Sequence, residues 1–225
     1  MNDHPVVLVK DVVKAYQGGK VRALRGVTLD VPQRAFMALA GPSGSGKTTL
    51  LNMIGALDQP DAGSVTVADH DVTKLNEKQR TRLRRETIGF VFQSFNLVPV
   101  LTAVENVELA LEIIQGTTRQ SRRKASMDML ERVGLKGMED RYPNELSGGQ
   151  QQRVAVARAL VKHPALVLAD EPTANLDGES GAAIIDLMKE MRDQFGTAFV
   201  FSTHDPRLLE RTETVITLED GCIRS

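Results

Sequence analysis

Gly41-Pro42-Ser43-Gly44-Ser45-Gly46-Lys47-Thr48 is the stretch on which the fold turns. It fits the pattern G-x-x-x-x-G-K-[ST], which carries a mechanism only where it joins a strand to a helix. Both flanks meet that condition. Residues 36–40, Phe-Met-Ala-Leu-Ala, read as an apolar strand, and Leu50, Leu51, Ile54 and Leu57 then recur at helical spacing until Pro60 and Gly63 break the pattern. Small residues let backbone N–H groups curl around phosphate oxygens, and the start of a helix adds the positive end of its dipole. Lys47 is placed to reach β- and γ-phosphates, and Thr48 offers a hydroxyl to Mg²⁺. From average residue usage the pattern arises by chance in about one chain of this length in a hundred, before its context is counted. A plain glycine-rich turn is therefore the poorer account, and Gly41, Ser43, Gly44, Ser45, Gly46, Lys47, Thr48 and Thr49 are candidate nucleotide ligands.

Outward from this loop the chain alternates strands and helices. Residues 6–9 and 27–31 read as strands separated by a turn around Gly18 and Gly19, so the chain opens with β structure. Residues 64–68 form another short strand, 76–86 a polar helix, and 88–93 a strand leading into a loop with Asn96 and Pro99. Thr102 and Glu105 make a capping box ahead of Val104, Val107, Leu109, Leu111 and Ile114, and a second helix is expected over 122–133. These helices interrupt the alternation and predict a helical subdomain inserted at about 94–158. Alternation resumes with a strand at 166–169, a helix with Ile184, Leu187, Met188, Met191 and Phe195 on one face, and a strand at 198–202.

Composition narrows the class of partner. The chain of 225 residues is 41% hydrophobic, enough for a substantial core, and its net charge of -1 gives no global pull toward nucleic acid or an anionic bilayer. Aromatic residues make up 4% with no Trp, which argues against a base-stacking nucleic-acid surface. The one cysteine, Cys222, has no partner for an internal disulfide, and the natural compartment is a reducing cytoplasm. Residues 1–10 lack the basic and apolar regions of a leader, and apolar runs such as 35–40 fall far short of the ~20 residues of a membrane span. No direct membrane span is expected.

Residues 165–169 are followed by Asp170 and Glu171, two carboxylates at the end of an apolar strand, where an α/β sheet presents its edge to ligand. Beside the phosphate loop, Asp170 is a candidate to hold Mg²⁺ and Glu171 to polarise the water that attacks a γ-phosphate. Leu146-Ser147-Gly148-Gly149-Gln150 makes a second Ser/Gly-rich entry to a helix, through Arg153 and Arg158, and so a second anion site.

With that pentapeptide the chain resembles the ATP-binding subunits of ATP-binding-cassette (ABC) transporters, over nearly its whole length and with the motifs in the family's order. The resemblance implies an α/β core of the RecA-like P-loop type, an antiparallel β portion near the N-terminus, and a helical subdomain carrying the signature, together a single domain over 1–225. It implies that Tyr16 stacks on adenine, although a Tyr at a strand end also serves plain packing. Gln93 matches the glutamine that touches Mg²⁺ and the attacking water, and His204 in Ser202-Thr203-His204-Asp205 the switch histidine at the γ-phosphate. Asp177 in Asn175-Leu176-Asp177 is similar to the segment that crosses a dimer. The family's two phosphate-binding helix starts do not share a nucleotide within one chain. ATP lies between the Gly41–Thr48 loop of one copy and Ser147, Gly148, Gly149 and Gln150 of another, so a homodimer is implied.

Residues 57–63, 88–97 and 169–177 are similar to the lipoprotein-releasing and macrolide-exporting subfamily, with Ala174 in place of an expected Gly. This implies integral membrane permease partners with few transmembrane helices and a periplasmic domain, met at the cytoplasmic face of the inner membrane. A regulatory ATPase of cell division, with a permease-like partner, fits the same residues. A non-transport ABC ATPase of DNA repair or translation fits less well, because no long coiled-coil insertion or second cassette is present. The basic runs at 78–85 and 119–124 read as solvated helix faces before lipid or permease contacts.

Overall fold

The computed structural model describes residues 4–114 and 116–224. The first three residues of the N-terminal segment read above lie outside the described part. Two sheets form the frame. Strands β1 (Val7–Tyr16), β2 (Val21–Val31), β4 (Ala62–Val67) and β5 (His70–Asp71) make an antiparallel sheet in the order β2-β1-β4-β5. The second sheet has the order β10-β9-β3-β8-β7-β6. Its members are β3 (Phe36–Ala40), β6 (Ile88–Phe92), β7 (Leu166–Asp170), β8 (Ala198–Thr203), β9 (Thr214–Glu219) and β10 (Cys222–Arg224). All its pairings are parallel except β9 with β10.

The apolar runs that mark β3, β7 and β8 follow from where those strands lie. A parallel sheet is covered on both faces, so successive apolar side chains enter different cores and are kept from water. Phe36, Ala38, Val167, Ala169, Phe199 and Phe201 join one core with the helices α3 (Ala103–Glu112), α4 (Arg119–Arg132), α5 (Gly148–Leu160) and α6 (Gly178–Phe195). Met37, Leu39, Leu166, Leu168, Ala198 and Val200 join the other, with α1 (Lys47–Ile54) and the antiparallel sheet. Phe36 meets the rings of Phe199 and Phe201 at centroid distances of 5.9 and 5.1 Å, across three fully buried side chains. Between β6 and β7 the chain is helical, and α3, α4 and α5 pack on one another.

Several elements exceed or escape the sequence reading. β1 and β2 run much further than the expected 6–9 and 27–31. Asp11 sits at φ 48 and the register shifts between Val9 and Val12, so the bulge breaks the apolar alternation that would have marked one long strand. Helix α1 ends at Ile54, short of Leu57: Ala56 turns to φ 54 and the Leu57 N–H closes back on the Asn52 carbonyl at 2.9 Å. The capping box of Thr102 with Glu105 is present as expected. α2 (Glu77–Thr87) carries another from Asn76, α4 another from Thr118. The expectation for α4 began three residues late.

The C-terminal strands β9 and β10, with the short helix α7 (Pro206–Leu209), have no counterpart in the sequence reading. In β9 only Leu218 is buried, so no apolar run signals the strand. Yet this hairpin supports the phosphate loop. At its turn Gly221 donates its N–H to Ser45 O at 3.0 Å and accepts from Arg25 N–H at 2.9 Å. Gly221 has φ +78, and a Cβ there would lie 2.8 Å from Ala23 O. We therefore expect Gly221→Ala to cost about 1–2 kcal/mol for the left-handed backbone alone, read as a lower urea midpoint at unchanged m-value.

Candidate functional site

The C-terminal ends of β3, β7 and β8 open into a cavity of about 690 Å³. Register explains the convergence. Ala40 lies opposite Thr203, and Asp170 opposite Ser202, so the loops after all three strands leave the sheet at one edge. Of the candidate residues, Tyr16, Ser43, Gly44, Gly46, Lys47, Thr48, Thr49, Gln93, Asp170, Glu171 and His204 line this cavity. Gly41 and Ser45 lie behind its wall. Their carbonyls face Lys47 and Gly221, at 2.8 and 3.0 Å.

The loop hands α1 over with its N-terminus unblocked. Gly46, at φ 108, has no side-chain cap, and a Cβ there would stand 2.5 Å from Ala23 O. The other helices of eight or more residues are each capped, by Asn76, Thr102, Thr118, Ser147 or Asp177. The first N–H groups of α1 are thus left for an anion, with the positive end of the helix dipole behind them. Lys47 is buried to 8% exposure, and its Nζ donates to the carbonyls of Gly41 and Pro42 at 2.8 and 2.9 Å. Those neutral acceptors leave its positive charge without a counter-ion in the contacts it makes.

Opposite the lysine stand oxygen donors. Thr48 Oγ1 lies 3.2 and 3.1 Å from the two oxygens of Asp170, and Ser202 Oγ donates to Asp170 Oδ1 at 2.5 Å. Glu171 is held by two contacts from its own N–H, to Ser202 O at 3.2 Å and Ser202 Oγ at 3.1 Å, while its backbone sits at φ 48. Its Oε1 is 2.8 Å from His204 Nδ1. One carboxylate beside one hydroxyl, with space for phosphate and water, suits a small hard cation that keeps most of its ligands from water and substrate. Among the described residues no cluster of three or more His, Cys, Asp or Glu side chains offers a closed metal cage.

Tyr16 stands at the far wall, 36% exposed, beside Val21, Arg22 and Ala23. Its hydroxyl donates to Asp58 Oδ2 at 3.0 Å, and Lys14 Nζ lies 2.9 Å from Asp58 Oδ1 and 5.2 Å from the Tyr16 ring centre. Burial, and then the hydrogen bond to Asp58, push the Tyr16 phenol above its ordinary value. Burial works against ionisation of Asp58, yet the hydrogen bonds it accepts from Lys14, the Gln59 N–H and Tyr16 hold its carboxyl below the usual range.

The second helix start is elsewhere. Ser147 caps α5 in a reciprocal box with Gln150, at 3.3 and 2.9 Å, and Gly148 lies against Leu176 and Asn175; none of Ser147, Gly148, Gly149 and Gln150 lines the cavity. Asp177 is outside it too. Its carboxylate caps α6, accepting from the N–H groups of Glu179 and Ser180 and from the Ser180 hydroxyl. Asn175 reaches the other way and donates to Gln93 O at 3.0 Å.

Sequence reasoning missed Asp58, Ser202 and the wall of residues 21–23. Ser202 lay inside the quoted Ser202–Asp205 stretch, two residues before His204 on a strand that points at the site. Asp58 lay inside the quoted stretch 57–63, but nothing local marked its contact with Tyr16, because its partners are 42 and 44 positions away.

A sheet edge that gathers a phosphate loop, paired carboxylates and a histidine defines a nucleotide-hydrolysing α/β ATPase. The family model described as ABC transporter matches residues 24–174, and the chain belongs to that family. It is an ATP-binding, ATP-hydrolysing subunit of the ABC type. The lipoprotein-releasing system ATP-binding protein LolD of Legionella pneumophila is 44% identical over 225 residues, covering 99% of this chain and 98% of that one. LolD of Saccharophagus degradans is 46% identical over 221 residues, covering 97% and 96%. An ATP-binding cassette of Methanocaldococcus jannaschii, solved as a dimer in a post-hydrolysis state bound to ADP and Pi, superposes with a TM-score of 0.88 at 42% identity, covering 97% of each chain.

The two tyrosines, Tyr16 and Tyr142, are observable without interference, because the chain has no Trp. In an alkaline titration followed by phenolate absorbance, Tyr16 is expected to ionise above the ordinary ~10. Asp58→Asn should bring that step down by removing the negative charge and leaving a weaker amide acceptor, with the Tyr16→Phe difference spectrum identifying which step is lost.

Proposed function

We propose that the chain works as a head-to-tail homodimer that binds and hydrolyses Mg²⁺-ATP to drive membrane permease subunits of the lipoprotein-releasing kind, at the cytoplasmic face of the inner membrane. The observation that carries the dimer is the separation of two anion-binding helix starts: α1 opens into the cavity and α5 does not. One nucleotide can use both only if the second comes from another copy. The dimeric relative with ADP and Pi, and the relatives named LolD, support the same reading. In this reading residues 1–225 are one ATP-binding domain, and about 94–158 are its helical subdomain carrying Ser147, Gly148, Gly149 and Gln150.

The roles follow from chemistry. Tyr16 supplies a ring face for adenine. Backbone N–H groups from Ser43 to Thr49 cradle the phosphates, and Lys47 exchanges the Gly41 and Pro42 carbonyls for β- and γ-phosphate oxygens. Thr48, Asp170 and Gln93 would hold Mg²⁺, which would supply positive charge to the phosphate oxygens. Glu171 accepts a hydrogen bond from the attacking water and draws off its proton. His204, hydrogen-bonded to Glu171, orients that carboxylate and can turn to the γ-phosphate. The partner's Ser147 and the N–H groups after it close over the phosphates, and Asp177 lies in the segment that lines the dimer seam.

Glu171→Gln should retain ATP binding, lower turnover by about 10²- to 10⁴-fold, and accumulate an ATP-bound dimer on size exclusion. Normal turnover would remove Glu171 from its role. Lys47→Ala replaces a charged hydrogen-bonding group worth about 1.5–3 kcal/mol, so ATP affinity should fall about tenfold or more. For the partner, solubilised membranes should yield the chain together with a permease bearing a large periplasmic domain. Recovery of the chain alone would overturn the transport coupling.

A further inference from the structure

Ser202 makes contacts that none of the roles above uses. It is fully buried on β8, one strand away from Asp170, and its side chain joins both members of the acidic pair. A serine hydroxyl has one proton and two lone pairs. The Glu171 N–H, 3.1 Å away, takes a lone pair, and the proton is free for Asp170 Oδ1 at 2.5 Å. That direction is fixed, because a backbone N–H can only donate and a carboxylate accepts. Asp170 is therefore held from two sides, by Ser202 from within the sheet and by Thr48 Oγ1 from the cavity. The adjacent Thr203 hydroxyl meets a different group, accepting from the Asp205 N–H at 3.0 Å.

We infer that Ser202 is a positioning residue for metal-dependent nucleotide binding: its hydroxyl fixes the Asp170 carboxylate toward Thr48 and steadies the backbone that presents Glu171. The inference rests on the reading of Asp170 as a Mg²⁺-side carboxylate. Without the hydroxyl, Asp170 can rotate about its side-chain bonds, and ordering it becomes a cost of binding the metal. Partners that orient metal-holding carboxylates typically carry 10- to 100-fold in metal affinity. The fold does not need the contact, because Glu171 N–H still has Ser202 O at 3.2 Å when the hydroxyl is removed.

The test is equilibrium binding of the β,γ-imido analogue of ATP to the full chain by calorimetry, in Mg²⁺ and in EDTA, with thermal unfolding as a check on folding. Ser202→Ala removes the hydroxyl; Ser202→Cys keeps most of the volume with a weak donor; Ser202→Thr keeps the hydroxyl. Expected is near-unchanged affinity in EDTA for all three, with the gain in affinity on adding Mg²⁺ reduced about tenfold or more in the Ala and Cys variants and retained in Thr. An equal Mg²⁺ gain in wild type and Ser202→Ala would overturn the inference. So would an equal loss in EDTA and in Mg²⁺, which is what a purely structural serine gives. Wild-type protein that binds the analogue with an affinity indifferent to Mg²⁺ would instead overturn the reading of Asp170 beneath it.

Discussion

Everything at the site depends on three strands lying side by side in parallel with their C-terminal ends level. β3 delivers the phosphate loop, β7 the carboxylates and β8 the hydroxyl and histidine, and the pairing Ala40 with Thr203 and Asp170 with Ser202 brings these loops out at one height. A shift of β7 by one residue would turn Asp170 to the opposite face and put Ala169 or Glu171 in its place. The two cores resist such a shift, because each strand buries one face against α1 and the antiparallel sheet and the other against the helices. Packing thus sets the reach of Asp170 to Thr48 and of Glu171 to His204. The chemistry inherits its geometry from hydrophobic register.

The phosphate loop is held from outside as well. Ala23 of β2 and Gly221 of the β9–β10 hairpin press against Gly46 and Ser45, so a loop that must expose its N–H groups still has a fixed path. A similar economy governs α5. Its Arg158 donates to the carbonyls of Asn96 and Phe95, at 2.5 and 2.8 Å, and its Gln152 to Pro172 O at 2.5 Å. Arg158 is partly buried with carbonyl partners, and that burial lowers its pKa from the ordinary range. One helix therefore grips the loop after Gln93 and the loop after Glu171. Under the proposed function, a displacement of α5 would therefore reach both sides of the cavity and connect the Ser147 end to it.

Much of this frame is legible in the residues. Gly41 to Thr48, the apolar runs ending at Ala40, Asp170 and Ser202, and the caps at Thr102 and Ser147 are local signals, each decided by a few neighbouring positions. What stayed hidden depends on distant ones. The bulge at Asp11 breaks the alternation of β1 beyond residue 9, and β9 buries only Leu218, so the length of the one and the presence of the other left no period to read. The tether from Asp58 to Tyr16 and the bridge from Ser202 to Asp170 span 42 and 32 positions and exist only once the sheets are assembled. The roles of single residues needed the family's resemblance in addition: a serine before a glycine pair is by spacing alone a helix cap, and Ser147 does serve as one.

The double use proposed for Ser147 bears on why a chain that carries all the proposed catalytic side chains would work with a second copy. The cavity is open to solvent: the His204 side chain is 70% exposed and sits against Glu171, which in its proposed role must choose one water among many. Charges there are screened, and donors aimed at developing phosphate charge act weakly until water is excluded. Covering the cavity with another neutral surface would exclude water and add no donor. Covering it with a helix start excludes water and adds N–H groups and a positive dipole end in the same step. The capping box at Ser147 keeps that helix start formed in the single chain, with the Ser147 hydroxyl proton still available, so it is ordered before a phosphate reaches it. In the mechanism proposed above, dimer closure would change the dielectric and the donor count together, and hydrolysis would be coupled to it because Glu171 and His204 would gain their effective surroundings only in the closed state.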